Sequence, residues 1–117
     1  MIYSLKYIFY LKMNSFQNVN VDKKANIYFD GKVISRNIFL SDGSKKTLGV
    51  MLAGNYEFKT ISRELMEIIS GKLSLKRKDD ENWISITEGM EFNIPKNSSF
   101  KLKVIDLVNY TCSYFDD

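Results

Sequence analysis

With 117 residues the chain is long enough for one domain and too short for two, and a domain of this size folds without disulfides or a structural metal. It has no histidine and one cysteine, Cys112, which excludes Ser-His and Cys-His nucleophilic machinery and an internal disulfide, argues against imidazole-rich metal sites, and suits a reducing cytoplasm. The net charge of +3 is scattered over Lys45-Lys46, Lys76-Arg77-Lys78, Lys101 and Lys103, with Asp79-Asp80-Glu81 directly behind the second cluster, so no nucleic-acid-binding stripe is expected.

Residues 1–12 read MIYSLKYIFYLK, which is apolar and aromatic but too short to span a bilayer. The segment lacks the basic start and small-residue cleavage site of a signal peptide, and no membrane partner is expected. Two readings stand: an over-extended start with Met13 as the true first residue, or a short extension that packs on a partner. Residues 1–19 are accordingly set apart from a domain spanning 20–117.

From Asn20 onward, short runs of Ile, Val, Phe, Tyr and Thr alternate with polar residues. Strands are predicted at 25–29, 32–40, 46–51, 56–60, 65–69, 72–77, 83–87, 91–94, 100–104 and 110–115. Asp30-Gly31 is a strong turn pair, Ser41-Asp42-Gly43-Ser44 is another turn, and Ser62-Arg63-Glu64 reads as a short one. Residues 76–81 read as an exposed hairpin tip. Pro95 ends a strand before the polar turn Lys96-Asn97-Ser98-Ser99. No segment keeps a helical period. Some nine or ten short strands in one domain mean an all-β sandwich or barrel.

Two spacings narrow the fold. Phe58-Lys59-Thr60 is followed after three residues by Glu64 and after six more by Gly71; Gly89 is followed after five residues by Pro95 and then by Phe100. This skeleton resembles the two sequence blocks of the cupins, in which histidines and a glutamate hold a metal and the glycines serve turns. The resemblance implies an all-β, cupin-like jelly-roll β-barrel in a single domain. At the ligand positions stand Phe58, Thr60, Glu64 and Phe100, and one carboxylate, one hydroxyl and two phenyl rings are no set for a divalent transition metal.

The local sequence is more specific. Leu48-Gly49-Val50-Met51-Leu52-Ala53-Gly54-Asn55-Tyr56-Glu57-Phe58-Lys59-Thr60 resembles the strand-turn-strand signature of the small pyrimidine/purine nucleoside phosphorylases. Met66-Glu67-Ile68-Ile69-Ser70-Gly71-Lys72-Leu73, then Trp83, Gly89, Phe92 and Ile94-Pro95-Lys96-Asn97-Ser98-Ser99-Phe100, and finally Tyr110-Thr111-Cys112-Ser113-Tyr114, continue the resemblance. Asn55 and Ala53 depart from it, standing where the family pattern has an acid and a proline. The resemblance implies phosphorolysis of purine and pyrimidine nucleosides to free base and α-D-ribose 1-phosphate, with broad base tolerance and no cofactor. The implied partners are nucleosides and inorganic phosphate. Small cupins commonly pair their sheets, which implies a homodimer. The competing class is a non-catalytic cupin that binds a small ligand.

Alternation along strands puts Tyr56, Phe58 and Thr60 on one face, Phe100 with Leu102 and Val104 on another, and Tyr110 with Cys112 and Tyr114 on a third. If these faces line the barrel, the lumen is an aromatic slot able to stack any nucleobase, because every base has a π-face. The same rings would equally serve to fill a small barrel. Glu64 is the one acid at a motif position, suited to ribose hydroxyls or to positive charge on the sugar, or to an ordinary surface turn. Asn97, Ser98 and Ser99 offer donors for phosphate or base, or simply form the turn. Lys45 or Lys46 supplies a cation for phosphate, or is a solvated hairpin lysine. Cys112 reads as a small core residue.

Overall fold

The computed structural model describes residues 14–117, and the two readings of residues 1–12 fall outside them. Nine strands are described: β1 (Asn20–Val21), β2 (Asn26–Tyr28), β3 (Val33–Phe39), β4 (Lys45–Met51), β5 (Gly54–Lys59), β6 (Arg63–Arg77), β7 (Ile84–Thr87), β8 (Glu91–Ile94) and β9 (Ser99–Phe115). All pairings are antiparallel. The main path runs β1-β3-β4-β9-β6-β7, with β2 on β3, β5 on β9 and β8 on β6. No described helix is long and apolar enough to cross a membrane.

The strands follow the alternation of the sequence, with one correction of consequence. Residues 65–69 and 72–77, expected as two strands, are one strand, β6; residues 100–104 and 110–115 are likewise one strand, β9. The two pair from Arg63↔Phe115 to Arg77↔Phe100. Each therefore has different outer partners along its length: β6 pairs β8 over Glu64–Glu67 and β7 over Lys72–Leu75, and β9 pairs β5 in its first part and β4 in its last. Arg63 and Glu64, expected in a turn, open β6.

Gly71 is accordingly a bulge inside a strand and not a hairpin turn. Register shifts fall between Ile68 and Leu73, where φ at Gly71 is +91°. The extra residue reverses the parity of the inward face. Glu64, Met66 and Ile68 share the face of Tyr114, Cys112 and Tyr110, whereas beyond the bulge Leu73 and Leu75 face inward with Val104 and Leu102. Gly89 does serve a turn: φ is +85°, and its N–H donates to the Ile68 carbonyl.

One core fills the barrel. Val33, Met51, Met66, Ile68, Leu73, Leu75, Ile86, Ile94, Leu102 and Val108 are buried in it, with Phe92 and Phe100 toward one side and Tyr110 and Cys112 toward another. Two turns are anchored by their own acids. Asp42 accepts from the backbone N–H and hydroxyl of Ser44, and Asp80 accepts from the Arg77 backbone N–H and guanidinium at the 78–80 tip.

A Cβ at Gly71 would overlap the Leu107 carbonyl and would also force an L side chain to positive φ. Gly71→Ala is expected to lower the melting temperature by roughly 5–15 °C. Circular dichroism during heating checks this, and an unchanged transition would mean that the bulge does not need glycine.

Candidate active site

The inward faces of β3, β4, β6 and β9 carry polar groups at one end of the barrel. Glu64 lies directly across from Tyr114 in the β6–β9 ladder, and Thr47 lies across from Cys112 in the β4–β9 ladder. The Cys112 thiol donates to Glu64 Oε1 at 3.3 Å. Tyr114 Oη and Thr47 Oγ1 are hydrogen-bonded at 3.0 Å. Lys45 Nζ stands 5.1 Å from the centroid of the Tyr114 ring. On the flank, Asn26 Nδ2 donates to Asn37 Oδ1 at 2.9 Å and to Ser35 Oγ at 3.3 Å.

Burial sets the electrostatics of this cluster. It raises the Glu64 carboxyl above its ordinary value, with the Cys112 hydrogen bond pulling partly the other way. Burial also pushes Tyr110 up to about 12, with Ser35 opposing, and raises the Cys112 thiol and the Tyr114 phenol. At neutral pH the thiol and both phenols are therefore neutral donors. Among the described residues no lysine or arginine forms an ion pair with Glu64. A half-buried carboxylate held by one weak S–H donor keeps most of its charge uncompensated.

The second part of the lumen is aromatic. Phe58 stacks on the buried Phe100 with centroids 5.4 Å apart and planes 23° apart, and Phe92 meets Phe100 edge-on at 6.4 Å. Phe29 reaches in from the β2–β3 connection, 4.9 Å from Tyr56 and 5.4 Å edge-on to Phe58. Phe58 itself is half-buried.

The expected site residues thus divide. Glu64, Tyr110, Tyr114 and Lys45 meet at the polar end, and Phe58 and Phe100 form the stack. Tyr56 is a buried wall whose hydroxyl donates to the Leu52 carbonyl at 2.7 Å. The Thr60 hydroxyl donates to the Pro95 carbonyl at 2.6 Å and accepts from Ser98 N–H at 2.9 Å, so it pins the turn after Pro95. Asn97 is exposed at the apex of that turn with φ +53°, and Ser98 and Ser99 are half-buried beneath it. Lys46 points to the opposite face, 5.8 Å from the Phe16 ring, because neighbouring residues of a strand diverge.

Sequence reasoning missed Thr47, Ser35 and Phe29 and undervalued Cys112. The period of two would have placed Thr47 beside Lys45. Phe29 gave no signal, since its position depends on a turn whose backbone is unusual. The residues at the cupin ligand positions do not fit a metal: Phe58 and Phe100 are apolar, and Thr60 is committed to backbone. Among the described residues no three of His, Cys, Asp and Glu converge.

The sequence model of the pyrimidine/purine nucleoside phosphorylases matches residues 23–114. The chain belongs to this family. The phosphorylase family's curated members include a protein of Chlorobium chlorochromatii that is 52% identical over 102 residues, covering 87% of this chain and 98% of the relative. Another, from Clostridioides difficile, is 49% identical over 105 residues, covering 90% and 100%. Both are described as pyrimidine/purine nucleoside phosphorylases. Among solved structures, a protein of unknown function from Acinetobacter sp. ADP1 aligns with TM-score 0.84 and 39% identity over 86% of this chain and 98% of its own. The Clostridium difficile EutQ protein aligns with TM-score 0.59 and 21% identity over 73% of this chain and 69% of its own, a likeness of cupin-like fold alone.

The burial of Glu64 has a pH signature. Its folded pKa lies above the unfolded value, so its contribution favours folding at low pH and is lost as pH rises through the folded pKa. Glu64→Gln removes that loss. The melting temperature of the variant relative to the native protein is expected to rise between pH 4 and pH 7; a constant difference across that range would contradict the assignment.

Proposed function

We propose that this protein is a nucleoside phosphorylase, a pentosyltransferase that cleaves purine and pyrimidine nucleosides with inorganic phosphate. The products are the free base and α-D-ribose 1-phosphate. The observation that carries the reading is an uncompensated carboxylate, Glu64, in the same lumen as a half-buried aromatic stack, in a chain of this family.

In the reaction a phosphate oxygen bonds to the anomeric carbon while the glycosidic C–N bond breaks and its electron pair leaves with the base. The base takes up a proton from solvent. Inversion at the anomeric carbon turns a β-nucleoside into an α-phosphate, so phosphate and base occupy opposite faces of the ribose. Positive charge builds on the sugar as the C–N bond lengthens, as it does in glycoside hydrolysis. We assign Glu64 to that charge: Oε1 is held by Cys112, which leaves Oε2 for the ribose. The Phe58–Phe100 stack takes the base, and its indifference to ring substituents accounts for breadth. Lys45, which stands over the Tyr114 ring, and the Tyr114 hydroxyl are assigned to phosphate as its cation and donor. Ser98 and Asn97, on the turn pinned by Thr60, are assigned to the rim of the site.

Incubation with uridine or inosine is expected to release base only when phosphate is present, to yield ribose 1-phosphate and not ribose, and to proceed equally with a chelator. Glu64→Gln is expected to lose at least about tenfold in turnover, which corresponds to about 1.4 kcal/mol of transition-state stabilisation. Full activity in that variant removes Glu64 from the mechanism. No base release from any common nucleoside would leave a non-catalytic ligand-binding barrel in place of an enzyme.

The lone buried thiol suits the reducing cytoplasm, which we take as the protein's compartment. We further propose a homodimer. Ile34, Leu48, Val50 and Ile69 line a shallow groove on the outer face of the sheet, an apolar surface that a two-fold partner would cover. Light scattering at micromolar concentration is expected to give twice the chain mass; a single-chain mass would refute the pairing.

A further inference from the structure

The connection between β2 and β3 holds the least comfortable backbone among the described residues. Phe29, Asp30 and Gly31 are consecutively left-handed, with φ of +52°, +54° and +88°. Glycine takes such values freely and Asp tolerates them, but a bulky aromatic residue seldom does. The turn is closed by Lys32 N–H donating to the Phe29 carbonyl at 3.1 Å, and Tyr28 enters it from extended backbone.

Full burial of the Phe29 ring would be the ordinary reason to keep such a conformation, yet the residue is 42% exposed. Its neighbour Tyr28 is 49% exposed. Tyr28 pairs with Val33, and so lies on the side of the β2–β3 ribbon that carries Ser35 and the polar cluster. Two large aromatic side chains thus stand half in water beside a lumen lined with aromatics. Phe29 packs against Tyr56 and Phe58, meeting Phe58 in a T-shaped contact with an interplanar angle of 82°. Phe58 has Phe100 stacked on it. A flat ring entering beside the Phe58–Phe100 stack would also meet the half-exposed Phe29 ring packed against Phe58.

We propose that Phe29 is a base-binding residue, held beside the Phe58–Phe100 stack by the left-handed turn so that an incoming nucleobase covers the exposed ring. This rests on the phosphorolysis reading and names the part of the site that grips the base. It also carries a specificity. A two-ring purine offers a larger π-face than a pyrimidine, and so loses more when one stacking partner is removed. Phe29 takes no part in bond breaking, so its loss changes binding rather than turnover.

Two variants test this with inosine and uridine in saturating phosphate. Phe29→Leu keeps an apolar side chain and removes the ring; Phe29→Gly removes the ring and relieves the positive φ. In both, KM for inosine is expected to rise about tenfold and KM for uridine about threefold, in line with the loss of one stacking partner. Turnover is expected to stay within about twofold. Calorimetric titration of hypoxanthine should show the same weakening without relying on catalysis. Unchanged KM for both nucleosides, or a lowered melting temperature with native KM, would make Phe29 a packing residue and overturn the proposal while the phosphorolysis reading stands. A native protein that neither cleaves inosine nor binds hypoxanthine would sink both.

Discussion

Strands β6 and β9 pair along almost their whole length, from Arg63↔Phe115 to Arg77↔Phe100, and β6 carries its bulge at Gly71 midway. The rest of the lumen is arranged around that defect. A regular ladder keeps one parity of side chains inward from end to end. Here even-numbered residues of β6 face inward before the bulge and odd-numbered ones after it, while β9 turns even-numbered residues inward on both sides of the exposed Asp106. Glu64 can therefore lie on the inner face at one end while Leu73 and Leu75 seal the other. Without the extra residue, either the carboxylate or the leucines would face solvent.

The polar end works against the stability of the core that holds it. A carboxylate loses hydration when buried and recovers little from one thiol. The neutral polar groups nearby are matched: Tyr114 with Thr47, and Asn26 with Ser35 and Asn37. The mismatch is confined to Glu64, the residue assigned to a charge that exists only in the transition state. An arginine beside it would stabilise the fold and spoil that role. Thr60 illustrates the opposite use of a polar side chain. Its hydroxyl is spent on the Pro95–Ser98 turn, which fixes the loop at the rim.

The sequence by itself determined the β architecture, the single domain and the family. Strand periodicity follows from side-chain alternation, which is local, and Gly, Pro and Asp-Gly pairs mark chain reversals through backbone preference. The inward placement of Tyr56, Phe58, Phe100, Tyr110, Cys112 and Tyr114 was also legible, because within one strand the period of two carries it. Only the tertiary structure decided what depends on partners. Whether Gly71 turns the chain or bulges a strand depends on β9 being there to pair on both sides of it. Lys45 faces Tyr114 while Lys46 turns away because β4 registers against β9 in one of two ways that its own sequence permits. The thiol of Cys112 meets Glu64 across 48 residues of chain, and the Phe29 ring reaches Phe58 only through a left-handed turn. Contacts of this kind are set by how strands are paired and how the backbone bends between them, and no local pattern encodes either.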